Sequence, residues 1–324
     1  MIRKTFVWIL ATLFLTTVSP AQAQQPKIPR IGFLSSTDNR FSFEQFRLRI
    51  RDRGHIEGKN IVIEYRTAEA RQDRIPGLVA ELVQLKVDVL VSTSQRAIEI
   101  AKQATKTIPI VIVINADPVA TGIVDSLARP GGNITGISTL QRELSGKRLE
   151  LLKETVPRIS RVGVLWNPDS SGPAISFKEY EAAAGAIKLR IQSLEVRGPK
   201  PDFGSAFQAA VKERAGGLIV ISNSLLNQHQ KPVADFAIKN RLPSMYERGD
   251  YVDAGGFMSY SANEAENYRR AAYYVDRILK GAKPADLPVE QPMKFDFVIN
   301  LNTAKQIGVT IPQWTLMKAD RVIR

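Results

Sequence analysis

Two halves of this chain repeat one another, and the repeat limits the fold more than any other feature. RIGFLSS at 30–36 is matched by RVGVLWN at 161–167, an offset of 131 positions. VDVLVSTS at 87–94 is matched by GLIVISNS at 217–224, an offset of 130. Between them, IVIEY at 61–65 corresponds to IQSLE at 191–195. Ile108 and Pro109 precede one apolar run as Leu242 and Pro243 precede Ser244, Met245 and Tyr246. Segments 73–85 and 202–211 both read as loop then helix. Single matches between apolar strands mean little, but four in order at nearly constant offset point to two lobes of one design.

Within each lobe, strand and helix alternate. Residues 110–114, IVIVI, are continuous and β-branched, the pattern of a strand buried on both faces of a parallel sheet. Phe43, Phe46 and Ile50 mark one helix face, and Ile75, Leu78, Val79, Leu82 and Val83 another. Such alternation predicts an α/β fold, with parallel sheets covered by helices on both sides.

Residues 1–23 carry Arg3 and Lys4, then an apolar run from Phe6 to Val18, then Pro20 and the small-x-small pattern of Ala21, Gln22 and Ala23. This is the pattern of a secretory signal cleaved near Ala23, with an apolar run short for a membrane span. The sequence has no cysteine, so neither a disulfide nor a cysteine-linked lipid is expected, which suits a soluble periplasmic protein. The formal charge is +13, and +11 without Arg3 and Lys4. Lysine, arginine and acids are interspersed along the chain, which reads as solvated helix faces. No helix-turn-helix, zinc-finger spacing or aromatic-basic ladder is present, so no nucleic-acid partner is expected.

In open α/β sheets, ligands bind beyond the carboxyl ends of the strands. Two lobes would present those ends to a shared cleft. The candidate ligand contacts are Ser36, Thr93, Ser94, Asp117, Asn133 and Thr135 in the first half, and Asn167, Asn223, Tyr246 and Tyr260 in the second. Hydroxyls and amides both donate and accept, as a small polar solute requires. Asp117 ahead of Pro118 also reads as a helix N-cap, Ser92, Thr93 and Ser94 as caps of the next helix, and Asn133 and Thr135 as turn formers. The glycines of GGNITG, 131–136, would let backbone approach a ligand closely. Tyr246 is preferred over Trp166 as a cleft residue, because a phenol needs a wet or paired environment. His55 and His229, the two histidines, are far apart, so a zinc site is not expected. No nucleophile elbow, phosphate loop or dinucleotide fingerprint is present, so neither catalysis nor a cofactor is expected.

Several motifs together carry a resemblance: EGKNIVIEYR at 57–66, ATKTIPI at 104–110, DPVATG at 117–122, LARPGGNITG at 127–136, LSGKRLELLK at 144–153, AGGFMSY at 254–260 and ILKGAKPADLPVEQP at 278–292. Over nearly all of the mature chain they resemble the solute-binding proteins of ABC importers whose characterised members take up tryptophan and related aromatic amino acids. The resemblance implies a type I periplasmic-binding-protein fold, with two Rossmann-like lobes, three crossovers and closure on a ligand. It maps ligand-facing turns onto Thr93, Asp117, Asn133, Thr135, Asn167 and Asn223. Together these features predict a soluble, monomeric periplasmic receptor that captures a small polar or aromatic, carboxylate-bearing solute of amino-acid type and hands it to an inner-membrane permease. The bulky Gln95-Arg96 pair departs from the small residues members often have there. A receptor feeding a membrane sensor, or a degenerate enzyme on the same fold, are the alternatives.

The expected lobes are 28–138 with 258–283, and 139–257 with 284–324. The first crossover is expected after Ser138. The second is expected near Gly255 and Gly256, where glycines could absorb hinge rotation. The helix at 263–280 would then return to lobe one, and the Pro-rich stretch 284–292 would lead back to lobe two.

Overall fold

The computed structural model describes residues 27–37, 40–69, 71–114, 117–139, 144–169 and 171–324. The signal-sequence reading of residues 1–23 lies outside the described residues.

The first sheet has six strands: β1 (Arg30–Ser35), β2 (Val62–Thr67), β3 (Val89–Ser92), β4 (Ile110–Ile114), β5 (Ile134–Ser138) and β11 (Val289–Glu290). Its order is β11-β5-β4-β3-β1-β2, and every pairing is parallel. The second sheet contains β6 (Arg161–Trp166), β7 (Arg190–Glu195), β8 (Gly217–Val220), β9 (Ser244–Tyr246), β10 (Met258–Ala262), β12 (Phe295–Asn300) and β13 (Arg321–Ile323), in the order β13-β12-β10-β9-β8-β6-β7. Here β12 runs antiparallel to β10, and the other pairings are parallel. The core order β4-β3-β1-β2 recurs as β9-β8-β6-β7, which is the sequence repeat expressed as topology.

Successive residues of a strand face opposite sides. Accordingly Val111 and Val113 of β4 pack with Phe33 and the helices Arg40–Arg51 and Glu264–Leu279, whereas Ile110 and Ile112 pack with Leu34 and the helices Ile75–Gln84 and Gln95–Ala104. Burial on both faces is why β4 reads as an unbroken apolar run. The second sheet is enclosed likewise. Val162 and Val164 face the helices Ser145–Thr155 and Ser171–Ala186, and Leu165 faces Phe203–Lys212 and Gln230–Lys239. Trp166 belongs to this core, stacked on Phe177 at 4.7 Å.

Strand pairing moves the expected lobe boundaries. Residues 258–262 form β10, which pairs with β9 and β12 in the second sheet, so the second crossover falls at Asn263 rather than at Gly255 and Gly256. Gly256 is instead a packing glycine, because a Cβ there would lie 2.5 Å from the Tyr246 ring. Residues 289–290 form β11 beside β5 in the first sheet, so the third crossover lies in 291–294 rather than ahead of Pro284. The helix Glu264–Leu279 does return to the first sheet, packing Tyr268, Ala272 and Val275 into its core. The second and third crossovers are tied together: the Asn263 N–H donates to the Lys294 carbonyl at 2.9 Å, and the Asn263 amide to Asp296.

The crossovers fix how the sheets face. The chain leaves sheet one beyond the carboxyl ends of β5 and β11, and leaves sheet two beyond that of β10. It enters sheet two at Phe295, which pairs with Ala262 at the same edge. The carboxyl edges of both sheets therefore lie on the side where the crossovers run.

Candidate functional site

In the first half, Ser35 is buried at the end of β1, and Ser36 follows it, partly exposed. Thr93 donates its hydroxyl to Ser35 Oγ at 3.3 Å, and its N–H to the Leu34 carbonyl. Ser94 caps the helix Gln95–Ala104, its hydroxyl accepting from the Ala97 N–H at 3.3 Å. Arg96, in that helix's first turn, is exposed. Asp117 caps a turn rather than a helix: its Oδ1 accepts from the N–H groups of Val119 and Ala120 at 2.9 and 3.1 Å, and residues 118–122 form turns. Thr139, directly after β5, carries a buried hydroxyl with no hydrogen-bond partner among the described residues.

In the second half, Asn167 follows β6 and closes an Asx turn by accepting from the Asp169 N–H at 2.8 Å. Asn223 caps the short helix Ser224–Asn227 through the Leu226 N–H. Tyr260 lies in β10, partly exposed, with its ring 5.8 Å from that of Phe295.

Three expected contacts are corrected by their position. Asn133 precedes β5, at the amino edge of the sheet, and is buried. Its amide donates to the carbonyls of Ile108 and Thr105 at 2.7 and 3.3 Å, pinning the loop that feeds β4. Thr135 is fully buried and donates to the Leu287 and Pro288 carbonyls, anchoring β11 against β5. Gly136 belongs with them: a Cβ there would lie 2.2 Å from the Ile112 carbonyl oxygen, so the glycine serves strand approach rather than a ligand. Because β4 and β5 are parallel, the link between them returns to the opposite edge and carries Asn133 there. Tyr246 is fully buried and stacks on Tyr251 at 4.7 Å, inside the core of the second lobe.

Two charged groups outside the expected contact set stand at these edges: Glu247, legible in the sequence as a strand-end residue, and Arg248, which was not singled out there. Glu247, after β9, is 2 % exposed. Its Oε1 accepts from Arg148 Nη1 at 3.2 Å and from the Tyr180 hydroxyl at 2.9 Å, and its Oε2 from the Ser222 N–H at 2.8 Å. Arg148 also donates through Nε to the Tyr260 carbonyl at 2.8 Å. Burial pushes the Tyr180 phenol well above its ordinary pKa, so it remains a donor. This network joins the ends of β8 and β9 to the middle of β10. Arg248, the next residue, grips Asp250 through Nε and Nη2 and lies 3.8 Å from Glu264. Partial burial disfavours its charge, but the carboxylates of Glu264 and Asp250 outweigh this and raise its pKa. Glu264 in turn accepts from Ser42 Oγ at 2.5 Å. A strand followed at once by charged residues, as in Tyr246-Glu247-Arg248, was the available signal.

Two open, mostly parallel sheets of like topology, joined by three crossovers on their carboxyl edges, define a type I periplasmic-binding-protein architecture, whose cleft binds a small molecule between lobes. The chain belongs to the family of ABC transporter substrate-binding proteins, whose model matches residues 44–323. It is 26% identical over 264 residues to a tyrosine-binding protein of Clostridioides difficile (strain R20291), covering 80% of this chain and 74% of that one. Among solved structures it is similar to a conserved domain protein from Vibrio cholerae, with 26% identity, a TM-score of 0.84, and 91% and 100% of the two chains covered. It is also similar to an ABC domain in complex with L-Trp from Streptococcus pneumonia, with 24% identity, a TM-score of 0.81, and 91% and 99% covered.

Proposed function

We propose that this substrate-binding protein is exported, works as a monomer outside the inner membrane, and captures a small aromatic, carboxylate-bearing solute of amino-acid type. Lobe closure would hide the solute, and the closed form is what the permease would distinguish. The contact set proposed is Ser36, Thr93, Ser94, Asp117, Asn167 and Asn223, with Tyr260 at the crossover.

The observation that carries this reading is the mixed character of the strand ends. Beside the hydroxyls and amides, three large apolar side chains are exposed in the stretches that come after strands on this edge: Phe41 six positions past β1, Val119 five past β4 and Ile175 nine past β6. A ring packed against such groups on closure would gain burial of apolar area, at about 25 cal/mol per Å². The tyrosine-binding relative and the L-Trp complex support an aromatic solute.

The experiment is a melting-temperature screen of the protein against the common amino acids and aryl carboxylates, followed by calorimetric titration of those that stabilise it. An aromatic compound should head the ranking. Preference for a sugar, or for an aliphatic solute, would overturn the aromatic reading. Export is tested by N-terminal sequencing of the protein from fractionated cells, where a mature terminus near Gln24 is expected.

A further inference from the structure

The Arg248–Glu264 pair spans the lobes. Arg248 follows β9 in sheet two, whereas Glu264 opens the helix that packs on sheet one. Both side chains are partly exposed, at 26 % and 32 %.

Each is held from behind by its own half. Asp250 takes one edge of the Arg248 guanidinium, Nε at 3.0 Å and Nη2 at 2.7 Å. Ser42, itself 1 % exposed, donates to Glu264 Oε1 at 2.5 Å. The other edge of each group is unspent: Arg248 Nη1 and Glu264 Oε2 have no hydrogen-bond partner among the described residues. The Nη2–Oε1 separation of 3.8 Å is too long for a direct hydrogen bond between them.

The geometry points to Arg248 Nη1 and Glu264 Oε2 as a reading head for a zwitterion, the carboxylate and ammonium of one α-amino acid, offered from opposite sides of the cleft. This rests on the proposed role as a receptor for small carboxylate-bearing solutes and narrows it to α-amino acids. An arginine fork matches a carboxylate, and a carboxylate oxygen accepts from an ammonium. A plain aryl acid would place its carboxylate near Glu264 with no ammonium to offset it. An amine would face Arg248 with no carboxylate. Discrimination therefore arises from the mismatched charge as well as from the matched one. Because Asp250 and Ser42 already fix the two side chains, little ordering remains to be done on binding.

The test is calorimetric titration with three sets of probes: L-tyrosine, L-tryptophan, L-leucine and L-alanine; the corresponding desamino acids; and the corresponding amines. The parent protein should bind its preferred amino acid at least tenfold tighter than either single-charge analogue, a comparison that needs no variant. Glu264→Gln should erase the gap between amino acid and desamino acid, and Arg248→Gln the gap between amino acid and amine. Melting curves of the unliganded variants establish that both are folded. Aryl acids binding as tightly as amino acids would overturn the reading head and leave the aromatic proposal standing. Aliphatic amino acids binding best, with a Glu264-dependent gap, would support the head and overturn the aromatic proposal. Wild-type ratios in both variants, or no binding by any amino acid, would overturn the head.

Discussion

Asp276 shows how one buried carboxylate can hold two elements together. It is 5 % exposed, and its Oδ1 lies 2.8 Å from His55 Nε2 and 2.8 Å from Lys280 Nζ. Burial alone would raise its pKa, but the hydrogen bonds from Lys280 and His55 outweigh burial and hold it below the ordinary 3.8. A depressed folded-state value means that the carboxylate contributes stability above about pH 4 and loses it as pH falls through the folded value. Asp276→Asn should therefore cost about 1–3 kcal/mol at pH 7, with the gap to the parent closing in acid, read by denaturant unfolding at pH 7 and pH 3. A gap independent of pH would show that packing, not charge, is what the substitution removes. Asn133 makes a complementary case. With its amide spent on Ile108 and Thr105, Asn133→Ala should lower stability by about 1–2 kcal/mol and leave solute affinity unchanged in titration.

At the scale of elements, the joints between strands matter more than the helices. Gly136 combines φ +137° with a Cβ position 2.2 Å from the Ile112 carbonyl oxygen. Gly136→Ala should force β5 away from β4 and cost about 3 kcal/mol or more, measured by urea midpoint. The Arg148–Glu247–Tyr180 network has a different logic, because its charges are out of water. Glu247→Leu deprives buried Arg148 of this carboxylate and should cost about 3–5 kcal/mol. The double variant Arg148→Met/Glu247→Leu should be no less stable than Glu247→Leu alone, since no buried charge is left behind. Additive losses would mean that the hydrogen bonds to Ser222 and Tyr260 dominate instead.

At the scale of the molecule, three chain segments connect two sheets whose strand ends share one side. The tie between Asn263 and Lys294 makes the second and third crossovers neighbours, so they should move as a unit. Binding an identified solute should compact the protein in small-angle scattering and lower its radius of gyration. Proven binding with unchanged scattering would argue for lobes that do not close. The outward-facing apolar groups Phe41, Val119 and Ile175 should become protected in that state, and hydrogen exchange of the flanking amides reports on it.

What the sequence determined by itself was the duplicated α/β design. Strand burial is written in residue type: IVIVI at 110–114 has no polar face because both faces of β4 are covered, and the offset of 131 positions carries the same strand order into both sheets. The helix at Ser94 and the Asx turn at Asn167 were legible as well, because caps and turns depend on neighbours in the chain. The tertiary structure decided which edge of a sheet a residue reaches. Asp117 and Asn133 lie 16 positions apart in the one connection between β4 and β5, yet that connection carries them to opposite edges. Residue type cannot show this, since an asparagine pinning a loop and one binding a solute use the same amide. The lobe boundaries were likewise set by pairing: whether 258–262 and 289–290 join one sheet or the other depends on which strand edge stands open. Arg248 and Glu264, 16 positions apart and on different lobes, meet only because the second crossover brings a strand end and a helix start together.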